Sequence, residues 1–317
     1  MRWNHIKTVT LCLLLIVNVW MIFLLVQRHI EQSYLNADAL QNAVEILAED
    51  EIYLPVDQLD QERRDAEIYA AVREEDYYES AAAFFTASPI ADIFPTPSGL
   101  RILTEAGDSI SFSTAYGVTF VRAGENRDAL TERAAQIAAE GEKVSVHSFG
   151  LRNLRAKIEQ CLNSTVGNGG GVAANARLHF DAAYRMDNLY LVRCSQTIDD
   201  RDVLSHSVLC LYTADGELLY LDGTWSFLSL MRNYSAQLYD QINILFIEKA
   251  TVDELRAGGE ISGALTMESL SLCYVLTSGG SADSGDTMVY FAPAWKITYT
   301  DGSSRVYHAV TGTSVAQ

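Results

Sequence analysis

RLHFDAAYRM (177–186), NLYLVRCSQTI (188–198), LSHSVLCLYT (204–213) and ELLYLDG (217–223) are four strand-length runs set nearly end to end, and they decide the fold. Each combines aliphatic and aromatic residues with polar ones over the length of a strand. Between them stand Asp187-Asn188, Asp199-Asp200 and Asp215-Gly216. Such residues reverse a chain because their short side chains bond the backbone and tolerate a left-handed φ. Turns this tight join antiparallel neighbours, since a parallel return needs a crossover of about a dozen residues or more. The stretch therefore predicts an antiparallel meander.

The same plan extends outward. Upstream, DAEIYAAVR (65–73) reads as a strand and residues 77–85 as a short helix; Pro89, Pro95 and Pro97 then break the chain. ISFSTAYGVTFV (110–121) alternates, and Glu105-Ala106-Gly107-Asp108 supplies a turn before it, which predicts hairpins. DALTERAAQIAAE (128–140) has helical spacing, with Gly141 where a helix would stop. Downstream, YSAQLYDQINILFIEKA (234–250) reads as an amphipathic helix, followed by the strands SLSLCYVL, MVYF, AWKITYT and RVYHAV, with a loop over 278–286. An Asp-Gly pair before an apolar strand that ends at glycine occurs twice, at Asp215-Gly216 and at Asp301-Gly302. Helices followed by antiparallel strands imply an α+β fold, because a parallel sheet would need helices alternating with single strands. The expected division is 49–125 and 126–317, two extracytoplasmic domains of antiparallel sheets, each with packed helices.

That placement outside the cytoplasm comes from TVTLCLLLIVNVWMIFLLV (8–26), which has no charged residue and is about as long as a helix that crosses a bilayer core. Arg2 and Lys7 precede it, which favours a cytoplasmic N-terminus. The expectation is a tail over 1–7, a transmembrane helix over 8–26 and a helical stalk over 27–48, where Ile30, Tyr34, Leu35, Leu40, Val44 and Leu47 recur at helical spacing. A cleaved signal peptide is the rival, but the small residues at 36–39 lie too far beyond the apolar run. Asn18 is strongly polar within the span, and an amide in hydrocarbon gains by bonding to another helix. Asn18 and Trp20 are the expected partner-helix contacts.

A formal net charge of −18 excludes nucleic acid as a natural partner, since phosphates call for a basic face. The acidic residues crowded between Asp38 and Glu79 lack a calcium-loop pattern and read as solvated faces. No cofactor and no metal is expected. Cys161, Cys194, Cys210 and Cys273 sit in surroundings that look like strand interiors and suit either buried thiols or two bridges. The catalytic signatures H-E-x-x-H, G-x-S-x-G and G-x-x-x-x-G-K-[ST] are absent. His147, His179, His206 and His308 are dispersed, and Asp199, Asp200 and Asp202 read as a turn. The glycine-rich loop 167–171 has no lysine after it to hold a phosphate. Trp225 and Trp295 read as core or edge-packing tryptophans. No catalytic residue is assigned and the chain is expected not to be an enzyme.

Two separated stretches resemble the YycI family, with the YycH proteins as a more distant likeness. Trp3-Asn4-His5-Ile6-Lys7-Thr8, followed by an apolar span containing Asn18, is similar to that family's W-x-x-x-K-T start and asparagine-bearing anchor. Pro293-Ala294-Trp295-Lys296-Ile297, then Asp301-Gly302 and Tyr307-His308-Ala309-Val310-Thr311-Gly312, resemble the P-x-W-[RK]-I strand and terminal strand of YycI and PepSY-like domains. His308 stands where asparagine or aspartate is more usual, and 90–201 has no matching motif. Trp3, Lys7, Pro293, Trp295 and Gly312 are the family-motif positions. The resemblance implies a membrane-anchored regulator of a WalK/YycG-type sensor histidine kinase that governs cell-wall metabolism in Gram-positive bacteria, with a YycH-like protein as a further partner. A PepSY-like peptide- or peptidase-binding module and a cell-wall hydrolase are the other two classes.

Overall fold

The computed structural model describes residues 14, 17–22, 37–55, 59, 66–73, 76–148, 151–164, 176–281 and 287–315. Its elements begin with α1 (Ala37–Glu49), β1 (Ile52–Tyr53), β2 (Glu67–Arg73), α2 (Tyr77–Ala82), β3 (Ile90–Thr96), β4 (Gly99–Thr104), β5 (Ser109–Ser113) and β6 (Gly117–Val121). There follow α3 (Arg127–Glu140), β7 (Glu142–Val144), α4 (Arg152–Leu162), β8 (Ala176–Met186), β9 (Leu189–Ile198), β10 (Arg201–Thr213), β11 (Leu218–Thr224) and β12 (Leu230–Ser235). The chain ends with α5 (Gln241–Ala257), β13 (Leu265–Ser281), β14 (Thr287–Tyr299) and β15 (Ser304–His308). Two compact units emerge, each discontinuous in sequence: 1–66 with 237–271 and 295–317, and 67–236 with 272–294. The break expected after residue 125 lies within the second unit.

In the second unit the strand order runs β12-β2-β14-β13-β10-β11-β6-β5-β4-β3. Off that path, β9 pairs with β10, β8 with β9 and β7 with β8, each antiparallel. Alternation explains the layering. In β4, β5 and β6, Ile102, Ile110, Phe112, Val118 and Phe120 are buried, while Arg101, Ser111 and Thr119 occupy the opposite face. Phe85 and Phe227 close the buried side, with ring centroids 5.6 Å apart. Asn126 starts α3 by accepting the Ala129 N–H at 3.1 Å. Leu130, Ala134 and Ile137 then pack that helix on Leu191, Leu211 and Tyr220. Leu154 and Ile158 of α4 lie against Phe180, Ala183 and Val192. Trp225 is buried and donates its indole N–H to the Leu162 carbonyl at 2.9 Å.

In the first unit, Ile52 and Tyr53 of β1 pair parallel with Leu265 and Thr266 of β13, and β15 pairs with β14. Asp240 caps α5 by accepting the Asn243 N–H at 2.9 Å. Lys249 joins Asp50 at 2.7 Å, next to the end of α1.

The expected fold needs correction. Among the described residues, fifteen strands that make up 46% of them form a large mixed sheet rather than separate antiparallel ones. β1 runs parallel to β13, and β10 bridges β13 parallel at Val203↔Tyr274. Turn chemistry reports only neighbours in sequence, so pairings between distant strands leave no local mark. Among the described residues no helix is long and apolar enough to cross a membrane. Most of 8–26 lies outside the described residues, as do the tail 1–7 and the start of the stalk.

Candidate functional site

Within the first unit, two of the family-motif residues, Trp295 and Gly312, meet at one backbone segment. The Trp295 indole N–H donates to the Tyr239 carbonyl at 2.8 Å, and the Tyr239 N–H donates to the Ala309 carbonyl at 2.7 Å. Gly312 stands at φ +71°, and a Cβ there would lie 2.8 Å from Ile247 Cδ1 and 3.4 Å from the Tyr239 ring. Only glycine meets both demands. His308 accepts the Val310 N–H on Nδ1 at 3.2 Å, and burial lowers its pKa, which suits a neutral acceptor. Tyr239 was missed from sequence because its part is played by its backbone.

Pro293 departs from expectation. The expected strand AWKITYT starts after it, yet it stands buried in the middle of β14. The rungs from β2 end at Phe291↔Tyr69, so the missing N–H of Pro293 costs no bond to that neighbour.

Beneath this segment Ile244, Leu245, Glu248 and Val252 form the buried face of α5. Glu248 is fully buried. Its carboxylate accepts from the Tyr299 hydroxyl and the Arg305 guanidinium on Oε1 and from the Tyr307 hydroxyl on Oε2. Burial, and next the Glu248 charge, push both tyrosine hydroxyls above their usual range. With both oxygens engaged, this carboxylate fastens helix to hairpin rather than attacking anything.

The second unit holds a buried polar pair that sequence reading missed. A bulge in β10, with Ser205 at φ 61°, brings His206 to Ser226, Nε2 to Oγ at 2.9 Å. His206 Nδ1 lies 3.0 Å from the Leu204 carbonyl. A carbonyl only accepts, so Nδ1 carries the proton and Nε2 accepts from Ser226. Gln196 donates to the Ser226 carbonyl at 2.7 Å and accepts the Ser226 N–H at 3.2 Å. A serine donating to a neutral imidazole has the geometry of a nucleophile and its base. Both side chains are buried, however, at 2% and 5% exposure, so no substrate reaches them.

Burial holds the His206 pKa below its usual 6.5. Below that pH the unfolded chain takes up a proton that the folded chain refuses. The stabilisation is therefore full above pH 6.5 and is lost as the pH falls beneath it. The urea midpoint is expected to drop between about pH 7 and about pH 5.5, and to drop less in His206→Gln. Identical pH dependence in the two chains would exclude His206 as the source.

Cys161, Cys194, Cys210 and Cys273 are buried thiols that form no disulfide. A hydrogen bond with Cys194, together with burial, pushes the Cys210 thiol well up, so neither the thiolate nor its chemistry is favoured. Asp199 and Asp200 take φ 51° and 60° in the turn between β9 and β10, and Tyr69 donates to Asp199. Asn18 and Trp20 are exposed on the helical residues 17–22. Trp3, Lys7 and the loop 167–171 lie outside the described residues. Among the described residues no group of three potential ligands could hold a metal ion. No protein-family model and no curated protein matches this chain.

Proposed function

We propose that this chain works by binding rather than turnover, as a regulator outside the cytoplasm that tunes a sensor histidine kinase controlling cell-wall metabolism. The observation that carries the reading is the meeting of Trp295, Gly312 and Ala309 on Tyr239, which makes one packed unit of residues that the YycI resemblance had picked out from sequence alone. Phe246 and Tyr239, 41% and 40% exposed, offer that unit an apolar contact surface. The test is crosslinking in cells from photoreactive residues placed at position 18 and at position 246. Capture of a sensor kinase from either position is the expected result, and capture of none from both overturns the reading.

A second reading, a module holding an extended peptide, is favoured by β3. It ends the strand order, all seven of its residues are exposed, and Ile90, Ile93 and Phe94 are among them. Such an edge is a template for a further strand. A crosslinker at position 94 that captured a peptide, with none capturing a kinase, would favour it.

A further inference from the structure

A cavity of about 560 Å³ lies on the open face of β4, β5 and β6, beside the start of α3. Strand register builds its floor. Arg101 stands opposite Ser111, Ser111 opposite Thr119, and Thr119 opposite Asp222, so four strands place a guanidinium, two hydroxyls and a carboxylate in one row. The next row adds Ser109, whose hydroxyl accepts from Arg101 Nε at 3.0 Å. Arg122 and Arg127 form the wall.

The rim is fixed before any ligand arrives. Asp108, 4% exposed, accepts the Ala123 N–H on Oδ1 and the Thr86 hydroxyl on Oδ2, each at 3.0 Å. Its own N–H donates to Thr104 Oγ1 at 3.0 Å. One buried carboxylate thus ties the turn after β4 to the connector after β6, and both bound the cavity. This preorganisation lowers the ordering cost of binding.

The charges select the ligand. Arg122 pairs with Glu217, and Arg127 with Asp222 at 3.5 Å, but these pairs are largely exposed and weakly held. Glu125 also lines the cavity. Arg101 differs, since its one hydrogen bond among the described residues goes to a neutral hydroxyl, which leaves its terminal nitrogens free to grip an oxyanion. The hydroxyl of Ser111 has no partner among the described residues and faces the same space.

We propose that this cavity binds a small hydroxylated anion, its phosphate or carboxylate held by Arg101 and its hydroxyls by Ser111 and Thr119. The Thr119 hydroxyl gives its own proton to Asp222 Oδ1 at 2.7 Å, and its oxygen is left to accept. The assignment is independent of the kinase reading. Calorimetry on the full-length chain, with sn-glycerol 3-phosphate, D-gluconate and inorganic phosphate as separate titrants, tests it. Saturable binding of glycerol phosphate or gluconate is expected, and which of the two binds identifies the anionic group. Arg101→Gln is expected to weaken that binding about tenfold, and Arg101→Lys by less. Arg101 is exposed, so both variants should keep the parent's thermal unfolding, which separates lost binding from lost folding. No saturable binding by any titrant, or undiminished binding by Arg101→Gln, overturns the site. Inorganic phosphate binding as tightly as the hydroxylated anions overturns the role given to Ser111 and Thr119.

Discussion

Glu248→Ala is expected to lower the free energy of unfolding by about 3–5 kcal/mol, the range for removing one partner of a buried ion pair. Glu248 is fully buried on α5, and its loss strips Arg305 of its carboxylate and both Tyr299 and Tyr307 of their acceptor. A buried group left unsatisfied costs more than the bond it made, so the damage exceeds that of one lost hydrogen bond. Glu248→Gln keeps an acceptor for the tyrosines but removes the charge facing Arg305, and should fall between. Combining Glu248→Leu with Arg305→Met should recover much of the loss, because a well-packed apolar pair of similar volume often replaces a buried ion pair at little cost. Urea titration of the four chains measures this. A deficit under about 1 kcal/mol for Glu248→Ala would show that the carboxylate does not fasten the helix.

Trp225→Ala should be equally severe, about 3–5 kcal/mol, as for other large aromatic truncations in cores. Trp225 is 1% exposed, and its N–H donates to the Leu162 carbonyl at the end of α4 while its backbone N–H bonds the Tyr116 carbonyl. Truncation opens a cavity and leaves a buried carbonyl unpaired. Trp225→Phe separates the two effects: it keeps most of the volume and forfeits the donor, so about 1–3 kcal/mol is expected. If both variants lost the same amount, the hydrogen bond rather than the packing would dominate.

Local chemistry made the centre of the fold legible. The runs 177–186, 188–198, 204–213 and 217–223 correspond to β8, β9, β10 and β11, because the Asp-rich turns between them supply the left-handed φ that tight reversals need. The helix read at 128–140 is α3, marked by its Asn126 cap and Gly141 stop. Elsewhere the competing signal won. The prolines near 95 read as a break, yet β3 runs through Pro95 because an edge strand spares its outward N–H. α4 went unread although Leu154, Ile158, Cys161 and Leu162 have helical spacing, since no side chain caps its start. The helix read from 234 begins at Gln241, where the Asp240 cap could have placed it.

The sites divide in the same way. Trp295 and Gly312 were visible because short motifs carry them, whereas Tyr239 acts through its backbone and leaves no signature. The meeting of His206 with Ser226 depends on a bulge, and the row from Arg101 to Asp222 depends on the register of four strands. Neither can be read until partners are known.

The sealed thiols give the chain an internal clock for its own opening. Cys194 and Cys210 expose none of their surface and Cys273 only 4%. A thiol reagent in water therefore meets these sulfurs only in molecules that have opened, and the rate of labelling counts those excursions. Because Cys161, Cys194 and Cys210 line one core, their modification should rise together in variants that loosen it.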